Sequence, residues 1–181
     1  MKSPEHRVSR RAAILDRLAD HVLAEGLAAS SLRSLADAAD TSDRMLLYYF
    51  KDKAEVMSAT IECIAGRLTK ILEEQNGSES LAFEPLRAKI WEIVSADELW
   101  PFMRLWLEIA SRSAREDPFY RIVGEQIARG FLAWGTAQLK SATPAQREVD
   151  AAKLLVSIEG MVMLKSLGLE DACRTALESE L

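Results

Sequence analysis

Apolar residues recur three and four positions apart along most of this chain, the period of an amphipathic helix, and alternating β-branched runs are absent. Ile14, Leu15, Leu18, Ala19 and Val22 place a first helix from about Val8 to Glu25, stopped by Gly26. Leu32, Leu35, Ala36 and Ala39 give one apolar face to a short second helix. A turn of Asp40, Thr41 and Ser42 follows, with Ser42 placed as N-cap of a third helix from Asp43 to about Phe50. Met57, Ile61, Ile64, Leu68 and Ile71 carry one stripe from Lys53 to about Gln75, and residues 76–80, NGSES, read as a loop.

Beyond that loop, a helix with Pro85 near its start runs to about Val94. Another begins at Asp97 with Pro101 in its first turns, where proline is tolerated. Its stripe is Leu99, Phe102, Met103, Trp106, Ile109 and Ala110. Asp117-Pro118 starts the next helix, lined by Val123, Ile127, Phe131 and Trp134 and running to about Leu139. Thr143, Pro144 and Gln146 make a strong start for the penultimate helix: cap, first helical residue and capping-box partner. That helix is apolar on two sides. Leu154, Leu155, Ile158, Met161 and Val162 form one face, and Ala152, Val156, Gly160, Met163 and Leu167 form another. Burial of both calls for a partner subunit, and Gly160 with Ala152 permits close helix approach. After Gly168, a last helix carries Leu169, Ala172, Cys173, Ala176 and Leu177.

The expected fold is therefore all-α: an N-terminal three-helix domain over residues 8–56 and a helical domain over residues 57–181. With 181 residues the chain can bury a real core. No apolar stretch approaches the roughly 18 residues of a membrane helix, and no apolar signal core stands at the start, so a cytoplasmic protein without membrane partners is expected. Cys63 and Cys173 match neither a metal spacing nor a disulfide framework and read as small buried hydrophobes. His6 and His21 have no second ligand at metal spacing, so no metal site is expected.

Residues 31–53 carry the chemistry. Helix, short turn, helix is the helix-turn-helix arrangement, in which the second helix enters the major groove of DNA. Leu46 and Phe50, four apart, anchor that helix, leaving Asp43, Arg44, Met45, Tyr48 and Tyr49 on its outer side. Arg44 can take guanine O6 and N7, Asp43 can accept from cytosine N4, and Met45 can meet a thymine methyl. Asp43 also has a local role, since a carboxylate in a first helical turn is favoured by the helix dipole. Ser31 and Arg33, at the start of the second helix, are further candidates for backbone contact.

The same stretch resembles the TetR family of bacterial transcriptional regulators, without a gap from about Ile14 to Val56. Ile14-Leu15, Gly26, Ser30-Ser31, residues 35–39 (LADAA), Ser42, Leu46, Tyr48, Phe50-Lys51 and Lys53 carry the likeness. Asp40 replaces the usual glycine of the turn, a position Asp can fill with a left-handed backbone. Asp43, Arg44 and Met45 replace the common Lys or Arg, Gly and Thr, while Leu47 and Tyr49 replace Tyr and His, so the DNA sequence read should be this chain's own. The resemblance implies that Tyr48 and Lys53 touch phosphate, with Tyr49 beside them. It implies a homodimer on a palindromic operator, built from the last two helices as a four-helix interface with Ala152, Val156, Gly160, Met163, Leu167, Ala172 and Ala176. It also implies a ligand-released repressor with an unknown small-molecule effector, and no cofactor.

Charge fits double-stranded DNA as partner despite an acidic total. Residues 1–56 hold nine Lys and Arg against nine Asp and Glu, whereas residues 57–181 hold fourteen against nineteen. Phosphate attraction depends on where cations stand, and Lys2, Arg7, Arg10 and Arg11 precede the first helix while Lys51 and Lys53 follow the third. Trp91, Met103, Trp106, Phe131, Trp134 and Met161 are the candidate effector lining, although core packing accounts for the same stripes. Arg104, Glu108 and Arg112, four apart, read as ion pairing on an exposed face. No phosphate-cradling loop, HExxH or nucleophile elbow occurs, so no catalytic residue and no enzyme is expected. The alternatives are a helical protein-interaction module that has lost DNA binding and, further off, an all-helical enzyme.

Overall fold

The computed structural model describes residues 4–77 and 79–178, with the backbone alone for residues 4–7. Among them are nine helices: α1 (Pro4–Glu25), α2 (Leu32–Ala38), α3 (Asp43–Tyr49), α4 (Lys53–Asn76), α5 (Phe83–Ser95), α6 (Trp100–Ala114), α7 (Pro118–Gln138), α8 (Pro144–Ser166) and α9 (Glu170–Glu178). The all-α class read from periodicity is the class observed. Two bounds moved. α1 begins at Pro4, a favoured first residue whose missing N–H costs nothing there, and α6 begins only at Trp100, after a turn in which Ala96 O accepts from Leu99 and Trp100.

The chain divides into two compact units, one of Met1–Arg67 with Arg104–Gly124, the other of Leu68–Met103 with Glu125–Leu181. The first unit thus extends past the residues 8–56 expected for the N-terminal domain. Its core holds Ile14, Leu18, Val22, Leu35, Leu46, Phe50, Val56 and Ile61, all nearly inaccessible. Arg67 fastens α4 to α1 with Nη1 on Asp20 Oδ1 at 2.7 Å and Nη2 on Asp16 Oδ1 and the Asp16 carbonyl at 2.9 Å each. Glu108, read as an exposed ion-pairing residue, is instead half-buried: its Oε2 accepts the Leu27 backbone N–H at 2.9 Å. Arg112 lies over the Tyr120 ring, 5.0 Å from its centroid. Sequence spacing within α6 could not show either contact, because both partners lie on other elements.

In the second unit α8 packs on α5 and α9 folds back on α8. Leu81 pairs with the chain just past α7, donating to Gln138 O at 2.9 Å and accepting from Lys140 N at 2.7 Å. Lys165 reaches Ser95 O at 2.9 Å and Glu170 Oε1 at 3.1 Å, fixing the α8–α9 corner. Cys173 is fully buried, its thiol directed at Met161 O, and Cys63 is half-buried; both are free. Burial pushes both thiols up, with Arg67 offsetting part of the effect at Cys63.

Candidate nucleic-acid interface

The site begins with two caps. Ser31 accepts from Ser34 N at 3.1 Å and opens α2, and Ser42 accepts from Met45 N at 3.3 Å and opens α3. Between them Asp40 takes a left-handed backbone, φ 51°, at the turn where sequence placed it, and Arg17 stands 3.8 Å from its carboxylate. Ser30 Oγ donates to Gly26 O at 2.8 Å, so the α1–α2 corner is tied as well. These local bonds satisfy helix-end groups that would otherwise need water, while the buried Leu35, Leu46 and Phe50 tie α2 and α3 to the core of the unit.

On α3, Leu46 is sealed in the core, and Phe50, the cap residue, is likewise buried. Asp43, Arg44, Met45 and Tyr48 are exposed and Tyr49 is half-buried. Tyr48 and Tyr49 meet edge to face, ring centroids 5.2 Å apart. Ser31, Arg33, Ser42 and Lys53 are exposed too. Lys53 is the first residue of α4, whose start is fixed by Asp52 Oδ1 accepting from Glu55 N at 2.9 Å and Glu55 Oε2 accepting from Lys51 N at 2.7 Å. All nine candidate DNA-contacting residues therefore lie in the first unit, on α2, α3, their caps and the start of α4.

Leu47 stood in the sequence only as a replacement for the usual Tyr, not among the outward residues of α3. Leu47 is 44% exposed and Met45 41%, and both help to line an open, mostly apolar hollow with Arg44 and Tyr48. The signal was present in helical spacing, since Leu47 and Leu46 cannot both face the core of so short a helix. Of the N-terminal cations, Lys2 and the Arg7 side chain lie outside the described residues. Arg10 is exposed. Arg11 sits over the Phe50 ring at 4.6 Å and 3.7 Å from Glu55 Oε1, which supplies a structural role for a side chain otherwise read as a phosphate contact.

Elsewhere, Trp91, Met103, Phe131, Trp134 and Met161 belong to the second unit and Trp106 to the first. Met103 and Met161 are buried and the four aromatic residues half-buried. Ala152, Gly160, Ala172 and Ala176 are exposed, as are Val156 at 72%, Met163 at 50% and Leu167 at 66%. No helix among the described residues is long and apolar enough to cross a membrane.

No protein-family model matches the chain. The chain is 26% identical over 160 residues to the HTH-type transcriptional regulator BetI of Burkholderia thailandensis, covering 86% of this chain and 80% of that protein. It superposes on the crystal structure of a TetR-family transcriptional regulator from Rhodococcus sp. with a TM-score of 0.71 at 20% identity, over 93% of this chain and 94% of the other. The transcriptional regulator FadR of Bacillus subtilis, solved with stearoyl-CoA, superposes with a TM-score of 0.57 at 17% identity, covering 92% and 95%. The fold is that of the TetR-family regulators.

Proposed function

We propose that this chain is a DNA-binding transcriptional regulator of the TetR family, a homodimeric repressor that holds a palindromic operator in the cytoplasm and releases it when a small molecule binds the helical body. The observation that carries the reading is α3: a Ser42-capped helix, held by buried Leu46 and Phe50, turning Arg44, Met45 and Tyr48 outward beside Lys53. Arg44 would read a guanine edge and Asp43 a cytosine amine. Tyr48, Tyr49 and Lys53, with Ser31, Ser42 and Arg33 across the turn, would hold phosphate. Residues 8–56 would form the reader and residues 57–181 the effector-binding and dimerising body. No enzymatic step is part of this function.

Release follows from linkage. An effector drives the protein off DNA only by binding the DNA-incompetent arrangement more tightly, and DNA must then weaken the effector by the same factor. Trp91, Met103, Phe131, Trp134 and Met161, all in the second unit, would suit a largely apolar effector; the acyl ligand in the FadR structure is a precedent for that chemistry on this fold.

The test is duplex binding by the full-length protein to a sequence it selects from a randomised pool. Affinity should fall steeply with salt, and Lys53→Ala should flatten that dependence by about one unit while weakening all duplexes alike. Arg44→Ala should cost roughly 1–3 kcal/mol and relax preference at one position per half-site. Salt-independent association, or no enrichment of any sequence, would remove the DNA-binding reading.

A further inference from the structure

We infer that Met45 and Leu47 read thymine, seating C5-methyl groups on either side of the base pair that Arg44 addresses. The inference rests on the DNA-binding reading above and adds to it a specificity device.

Around α3, helical spacing sets Leu47, Arg44, Tyr48 and Met45 in succession across the side opposite Leu46. Arg44 and Tyr48 are therefore central, and the two aliphatic side chains are the flanks. Leu46 and Phe50 are locked in the core and fix the rotation of the helix, so the flanking side chains cannot turn inward to escape water. Two large aliphatic side chains, Met45 and Leu47, stand exposed on a seven-residue helix and make apolar surface that calls for a partner. Together with Arg44 and Tyr48 they wall the mostly apolar hollow on this surface.

The apolar group that the major groove offers is the C5-methyl of thymine; the other base-edge groups there are hydrogen-bond donors and acceptors. A cation stands between the two apolar flanks, and Arg33, Lys51 and Lys53 are exposed in the same unit. That setting suits a groove bordered by phosphate, where an apolar protein surface would leave Arg44 desolvated and unpaired.

The full-length protein selects its duplex from a randomised pool, and that duplex is resynthesised with uracil replacing thymine at one position at a time. Uracil keeps every hydrogen-bonding edge and lacks only the methyl. Each half-site should show two thymines where the replacement weakens binding by about fourfold, the effect of one buried methyl-sized group. Met45→Ala should abolish the effect at one of them and Leu47→Ala at the other. Arg44→Ala should weaken binding and leave both effects in place. Both apolar side chains are exposed, so the Ala variants should melt with the wild type. Selected half-sites without thymine, uracil indistinguishable from thymine throughout, or effects that persist in both Ala variants would overturn the methyl reading while DNA binding stands. A pool with no enriched duplex would overturn DNA binding itself, and this inference with it.

Discussion

Gly26 shows how one residue is held by two independent constraints. Its φ of +77° is a left-handed backbone that side chains resist, and a Cβ built there would stand 2.6 Å from Glu108 Oε1. That carboxylate is the flexible end of a side chain, but moving it gives up the bond to Leu27 N–H. Gly26→Ala should therefore cost about 1–2 kcal/mol for the backbone alone and more for the displaced Glu108. Glu108→Ala should cost about 1–2 kcal/mol by orphaning the Leu27 donor. In urea unfolding the double variant should lose less than the two costs combined, because the second substitution makes room for the first; strict additivity would mean that Glu108 swings aside at no cost. The helix stop at Gly26 was legible because glycine after a periodic run is a local signal. Its partner, 81 residues from Leu27, was not, and the same holds for Arg67 with Asp16 and Asp20. The two cysteines were partly legible as buried hydrophobes. Since burial pushes both thiols up, each should react with iodoacetamide at neutral pH more slowly in the native protein than in urea.

Helix starts with a Ser or Thr cap were the most readable feature at the scale of elements, because a cap and its target lie within four residues. Thr143 Oγ1 accepts from Gln146 N at 3.1 Å with Pro144 as first helical residue, as the sequence of α8 required. Less visible was the role of Asp150, whose carboxylate accepts from Ser141 Oγ at 2.6 Å and Gln146 Nε2 at 2.7 Å and so clasps the loop onto the first turns of the helix. Thr143→Ala should cost about 1 kcal/mol in denaturant unfolding. The two hydrogen bonds hold the Asp150 carboxyl below its ordinary value, so the folded state binds its proton less readily than the unfolded state does. Its contribution is complete above the unfolded carboxylate range and is lost as pH falls through the lowered folded value. Asp150→Asn should be less stable than wild type at neutral pH and should lose less on acidification; equal acid dependence would show that the clasp does not form. On α3 the buried side was legible from Leu46 and Phe50. Leu47 was visible only as a departure from the family pattern, because its outward direction follows from the rotation that buried Leu46 and Phe50 impose on α3.

For the whole molecule the decisive surface is the second apolar face of α8. Sequence alone showed that this helix has more apolar surface than one neighbour can cover, and in the folded chain Val156, Met163 and Leu167 stand at half to three-quarters exposure. What covers them lies outside a single chain's pattern, since periodicity reports that a face is apolar and not what meets it. With Ala152, Gly160, Ala172 and Ala176 exposed on the same two helices, the face suits a second copy of α8 and α9 packed as a four-helix interface. Gly160→Glu is a clean probe of that arrangement, because a Cβ at Gly160 meets nothing within 4 Å in the chain itself and the substitution leaves the protomer's own packing alone. In a dimer the carboxylate would be buried without a partner, a cost of several kcal/mol. Sedimentation at micromolar concentration should therefore give twice the chain mass for wild type and one chain mass for the variant. Operator affinity should collapse with the dimer, because two recognition helices spaced about one DNA turn apart, roughly 34 Å, bind a palindrome only while they are joined. A variant that still sediments as a dimer would place the interface elsewhere. A monomeric variant that holds the operator as tightly as wild type would break the link between this face and DNA recognition.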